Sequence, residues 1–108
     1  MEEHLPNEIK QHLPLGFNPG FGTWLVLPSE DQEGRDGINT LNHWLREQDW
    51  YPVELGDILW FGDDGVGNLL GWDQTENIAV LWNPADGSEC WHKSDVQSLW
   101  QFIQNGYE

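Results

Sequence analysis

The sequence predicts an α+β domain, an antiparallel meander packed with N-terminal, middle and C-terminal helices. Three observations predict it. First, Ile58–Trp82 holds three apolar runs, Ile58–Phe61, Leu69–Trp72 and Ile78–Trp82, each four to five residues long and rich in Ile, Val, Leu and Trp. Runs of that length and composition, bounded by Gly, Asp and Asn, read as strands. Second, the breaks between them, GDDGVGN and DQTEN, are too short for the crossover that parallel strands require. Third, the apolar spacing changes to three and four residues at Ile38–Leu45 and again at Val96–Ile103, which is helical periodicity.

In chain order, Pro6–Leu13 reads as a short amphipathic helix. Pro6 suits a first helical position, Leu5, Ile9 and Leu13 share a face, and Pro14 and Gly16 end it. GFNPGFG (16–22) is a glycine-rich turn with two aromatics, and Thr23–Leu27 reads as a strand. The acidic segment 28–37, PSEDQEGRDG, is an exposed loop. Ile38, Leu41, Trp44 and Leu45 fall on one helical face that ends near Asp49-Trp50, ahead of Pro52. Within the meander, Asp64-Gly65 supplies the positive φ of a tight connection, Gly67 a second flexible position, and Asn77 closes the next turn. The strands barely alternate with polar residues, so both sheet faces are expected to be covered. NPADG (83–87) marks another turn, and SECWH (88–92) a short fourth strand. Ser94 with Gln97 forms a capping box opening a last helix that buries Val96, Leu99, Trp100 and Ile103 and stops at Asn105-Gly106. No repeat or linker divides residues 1–108, which form one domain.

Composition narrows the function. A domain of 108 residues buries about 65% of its unfolded surface, and eight tryptophans supply large side chains for that core. Nineteen acids stand against four lysines and arginines, for a net charge of −15. That balance argues against direct binding to nucleic acid or to an anionic membrane and favours a basic partner. Cys90 is the only cysteine, which excludes an internal disulfide. The opening MEEHLPNEI has neither the basic nor the apolar region of a signal peptide, and no run approaches the roughly 20 apolar residues of a membrane-spanning helix. The expectation is a cytoplasmic protein.

WFGDDGVGNLLGWD (Trp60–Asp73), an apolar strand ending in Trp82, a polar turn and KSDVQSLWQFI (Lys93–Ile103) together resemble the SUKH superfamily. That group includes the fungal cell-wall-synthesis regulator domain and many bacterial immunity proteins. The resemblance rests on Phe61, Gly62, Asp63, Asp64, Gly65, Gly67 and Asn68, on the strand-ending Asp73, on Trp82, and more loosely on Ser94, Val96 and Leu99. Leu5-Pro6 resembles the family's N-terminal helix start, without the Asn-Gly-Gly turn that usually follows. The resemblance implies a non-catalytic immunity protein that neutralises a cognate bacterial toxin, often a nuclease, by stoichiometric binding. It also admits a regulatory or scaffold domain of the fungal type.

Candidate sites follow from residue chemistry. The partner-facing surface is expected on Glu30, Asp31, Glu33 and Asp36, with only Arg35 among them, together with the turn at Asp63-Asp64. GDDGVGN lacks both EF-hand spacing and a P-loop lysine, so its aspartates read as caps of turn amides. Cys90 and His92 share a strand face at i, i+2, but His4, His12 and His43 add no ligand spacing, and no metal or other cofactor is expected. Asp57, Asp63, Asp64 and Asp73 could supply a catalytic pair, but no nucleophile motif accompanies them, so catalysis is not expected. Trp60, Trp72, Trp82 and Trp100 lie within apolar runs and read as core. Trp24, Trp44, Trp50 and Trp91 are less constrained, and an exposed subset stacking on sugar rings would make a carbohydrate-binding module the competing class.

Overall fold

The computed structural model describes residues 1–20 and 22–108. Four antiparallel strands lie in sequence order: β1 (Ile58–Asp63), β2 (Leu69–Asp73), β3 (Ile78–Trp82) and β4 (Cys90–Ser94). The meander and the α+β arrangement are therefore as the sequence predicts. Both faces are covered, because the pleat sends alternate side chains into two separate cores. Leu59, Phe61, Leu70, Ala79 and Leu81 pack with Leu5, Ile9, the segment 25–27 and the C-terminal helix α3 (Val96–Gln104). On the opposite face Ile58, Trp60, Leu69, Val80 and Trp82 pack with Leu45 and Leu55. There the Trp60 and Trp82 rings stack at 4.8 Å between centroids. Gly71 makes room for the first of them: a Cβ at that position would lie 2.6 Å from the Trp60 ring.

The helix α2 (Ile38–Glu47) closes the outer edge of β1 with side chains. Asn42, fully buried, accepts from Trp60 N and donates to Trp60 O, both at 2.8 Å, as a neighbouring strand would. Arg46 donates to Ile58 O at 2.8 Å. Further along, Leu27 N donates to Phe61 O, and Trp24 and Asp63 exchange backbone bonds. An edge capped in this way cannot template pairing with another chain.

Four sequence expectations need correction. Thr23–Leu27 is not a regular strand but an extended segment held by single bridges, Phe17 to Val26, Gly20 to Thr23 and Trp24 to Asp63. A bulge between Trp60 and Gly62 breaks the register that a continuous ladder would need. The segment crosses β1 there so closely that a Cβ on Gly62 would lie 2.8 Å from Trp24 O. The first helix, α1, spans only Asn7–Lys10, with Pro6 as its N-cap, and the chain continues in turns to Leu15. In α2 the buried face is Ile38, Asn42 and Leu45, and the helix ends at Glu47. Trp44 lies about 120° around the helix from Ile38 at 3.6 residues per turn and is exposed. Finally, Ser94 belongs to β4, and the cap of α3 is Asp95, which accepts from Ser98 N at 2.8 Å. That bond holds the Asp95 carboxyl below its usual range. Of the glycine-rich turn at 16–22, Phe21 lies outside the described residues.

Candidate functional site

The acidic loop is a tight reversal. Gln32 and Arg35 exchange backbone hydrogen bonds at 2.9 Å, and Gly34 takes the left-handed conformation at φ 79°. Glu30, Glu33 and Asp36 point into solvent. Asp31 is also exposed, but its carboxylate has a structural partner: Oδ1 accepts from Gly37 N at 2.8 Å. Gly37 is the N-cap of α2 and has no side chain to offer, so Asp31 places the negative charge that a helix start favours. That backbone bond, with help from the Thr40 hydroxyl, holds the Asp31 carboxyl below its ordinary value.

One contact ties this loop to the β1–β2 turn. Arg35 Nη1 donates to Asp63 Oδ2 at 3.4 Å, and the guanidinium sits 5.8 Å from the Trp24 ring centre. The two predicted parts of the surface, the loop and Asp63, are thus adjacent. Asp64 is not part of it. Its side chain turns inward, only 4% exposed, and accepts from Val66 N and Asn68 N at 3.0 Å, Asn68 Nδ2 at 2.7 Å and the Tyr107 hydroxyl at 2.6 Å. Gly65 at φ 83° and Gly67 at φ 106° supply the left-handed geometry the turn requires. Tyr107 reaches Asp64 from the C-terminal end, where Gly106 and Tyr107 itself both have positive φ. Burial, followed by the Asp64 carboxylate, raises the Tyr107 hydroxyl above the ordinary tyrosine range. Reading GDDGVGN as a turn whose aspartates cap amides therefore holds for both: Asp63 Oδ1 accepts from Gly65 N at 2.8 Å.

Beside the Arg35–Asp63 contact lies a cleft of ≈ 550 Å³ lined by Arg35, Asp63, Leu41, Trp44, Trp50 and Leu69 among others. Trp44 and Trp50 are 50% and 51% exposed, with ring centres 6.0 Å apart and planes at 66°. The sequence puts Trp44 on the apolar face of its helix and leaves Trp50 less constrained, and it pairs neither with the other. Their pairing follows from the end of α2 at Glu47, which turns the chain back at Gln48–Trp50. Arg35 is likewise missed as a bridging residue, since nothing in the sequence joins it to Asp63.

The other candidates separate. Cys90 and His92 do not share a face, because a bulge beside Trp82 places Cys90 opposite Trp82 and His92 opposite Leu81. Cys90 packs into the Trp60–Trp82 core, and burial raises its thiol above the usual range. His92 stacks on Phe102 with ring centres 3.9 Å apart. Asp73 caps its turn through Thr75 N and Glu76 N, and Asp57 accepts from the Thr75 hydroxyl at 3.0 Å. Trp72 is only partly buried, whereas Trp60, Trp82 and Trp100 are core. Trp91 is exposed along one side and donates to Asn68 Oδ1 at 3.2 Å. Among the described residues, no helix is long and apolar enough to cross a membrane.

Neither a family model, nor a curated protein, nor a solved structure matches this chain.

Proposed function

We propose that this chain is a non-catalytic protein-binding domain that blocks a basic partner by occupancy. The observation that carries the reading is the adjacency of an acidic rim to an aromatic cleft. Glu30, Glu33 and Asp36 stand on a loop tied through Arg35 to Asp63, and Asp63 also lines the cleft that holds Trp44 and Trp50. Exposed tryptophans beside charged groups are what protein interfaces use as anchors: large rings supply contact area, and surrounding charges select and steer the partner. A net charge of −15 favours a cationic surface such as that of a nucleic-acid-acting enzyme, whose own site must hold phosphates.

With the SUKH resemblance, the reading extends to an immunity protein that neutralises a cognate toxin, in the manner of a substrate mimic. A regulatory or scaffold role would use the same surface on a different partner. The planes of Trp44 and Trp50, inclined at 66°, do not form the flat platform that would favour stacking on a sugar chain.

Affinity purification from the native host tests the proposal, using wild type and the triple variant Glu30→Lys, Glu33→Lys, Asp36→Lys. Wild type should retain a basic protein in stoichiometric amount and the variant should lose it. Asp31 is left intact because it caps α2. Equal retention by both proteins would remove the acidic loop from the interface.

A further inference from the structure

Arg35 occupies an unusual position for this chain. It is one of only four lysines and arginines in the sequence, and it fills the wall between two hollows. Arg35 and Asp63, with Leu41, line both the ≈ 550 Å³ cleft of Trp44 and Trp50 and a smaller pocket of ≈ 210 Å³ that also includes Leu27, Gly34 and Asp36. The contact that makes this wall is a single one at 3.4 Å, not the paired fork that guanidinium and carboxylate form at their best. Its two side chains are 30% and 32% exposed, where such pairs contribute little. Among the described residues the Arg35 side chain makes no other hydrogen bond, so leaving Asp63 costs it that one bond and the contact with the Trp24 ring.

We infer that the basic partner of the proposed function enters this cleft with an arginine side chain, which stacks on Trp44 or Trp50 and takes the place of Arg35 at Asp63. The inference rests on that reading and names the chemistry of the anchor. The chain's own arginine already combines a carboxylate with an aromatic face, Asp63 with Trp24, so the position suits a guanidinium as it stands. The cleft adds two half-exposed indole rings that line the same hollow as that carboxylate. A flat, weakly hydrated guanidinium stacks on indole and forks onto a carboxylate, whereas a compact, strongly hydrated ammonium does neither as well. Charge alone draws any cation to so acidic a protein. Discrimination between arginine and lysine is the mark of the cleft. Arg35 then acts as a resident competitor that a stronger ligand displaces.

Calorimetric titration with two N-acetylated peptide amides, tetra-arginine and tetra-lysine, tests this on the full chain. Tetra-arginine should bind several-fold more tightly than tetra-lysine at equal ionic strength. The double variant Trp44→Ala, Trp50→Ala should bring the two peptides to the same affinity; both rings are half exposed, and loss of fold would show in the melting curve. Arg35→Gln should raise the affinity for tetra-arginine several-fold. Lys10→Gln, which makes the same charge change outside the cleft's lining, should raise it less. Equal affinities for the two peptides in wild type, or equal effects of Arg35→Gln and Lys10→Gln, would overturn the inference. Were the acidic-loop variant still to lose its partner in that event, the proposed function would stand without this anchor. Arginine preference combined with undiminished partner retention would instead place the fault in the role given to the loop.

Discussion

Replacing Asp64 with alanine removes the group that holds the β1–β2 turn to the C-terminal end of the chain. Four donors lose their acceptor: Val66 N, Asn68 N, Asn68 Nδ2 and the Tyr107 hydroxyl. They are not equivalent. Val66 is exposed and Tyr107 partly so, and water can replace the carboxylate for both. Asn68 is buried, and its amide and side chain are left without that partner. An unsatisfied buried donor costs about 1–3 kcal/mol, and a bond to a charged group contributes about 1.5–3 kcal/mol, so the loss should total about 3–4 kcal/mol. For a chain of this size that lowers the thermal midpoint by about 15 °C. Asp63→Ala is the internal comparison. Its carboxylate serves only the exposed Gly65 amide and the long contact to Arg35, and its loss should cost under about 1 kcal/mol. Thermal and urea unfolding followed by circular dichroism would measure both variants at neutral pH. Equal and small effects would refute the view that Asp64 locks the turn, and equal and large effects would refute the separation of the two aspartates.

The tryptophans and Tyr107 give two more tests. Trp82→Ala should cost about 3–5 kcal/mol, because the ring is fully buried against Trp60, and the partly exposed Trp72→Ala should cost clearly less; equal midpoints for the two variants would contradict the two-faced core. Tyr107 carries a hydroxyl whose pKa is raised on folding, so its contribution is complete below the ordinary tyrosine value of about 10 and is lost as pH rises above it. Tyr107→Phe should therefore lower stability at neutral pH and lessen the decline between about pH 10 and 11, leaving the part due to Tyr51 and Cys90, whose hydroxyl and thiol burial also raises. An unchanged alkaline slope in melting experiments would remove Tyr107 from the lock.

The sequence was legible where composition and spacing act locally. Ile58–Trp82 could form nothing but short antiparallel strands, Gly65, Gly67 and Asn77 take the positive φ their turns need, and Val96, Leu99, Trp100 and Ile103 are buried on one helix face. What escaped depends on long-range geometry. The bulge beside Trp82 put Cys90 and His92 on opposite faces, which no i, i+2 count can reveal. Asn42 is polar and yet fully buried, because the open edge of β1 at Trp60 needs a donor and an acceptor. Asp63 and Asp64 are neighbours of identical chemistry, and it takes the fold of the turn through Val66 and Asn68, closed by Tyr107 43 residues beyond Asp64, to separate a surface acid from a buried one. The apolar spacing puts Trp44 on the buried face of α2, whereas the observed helix turns it outward, and the stop at Glu47 brings Trp50 back beside it.

Steering by the acidic rim is tested most directly by association kinetics with the retained basic partner at two ionic strengths. The measurement compares wild type with Glu30→Lys, Glu33→Lys, Asp36→Lys. At low salt the variant should associate several-fold more slowly than wild type, with stability within about 0.5 kcal/mol because all three side chains are exposed. At high salt the two rates should converge, since screening already suppresses attraction beyond about 3 Å at 1 M. Identical on-rates at low salt would contradict steering by this rim.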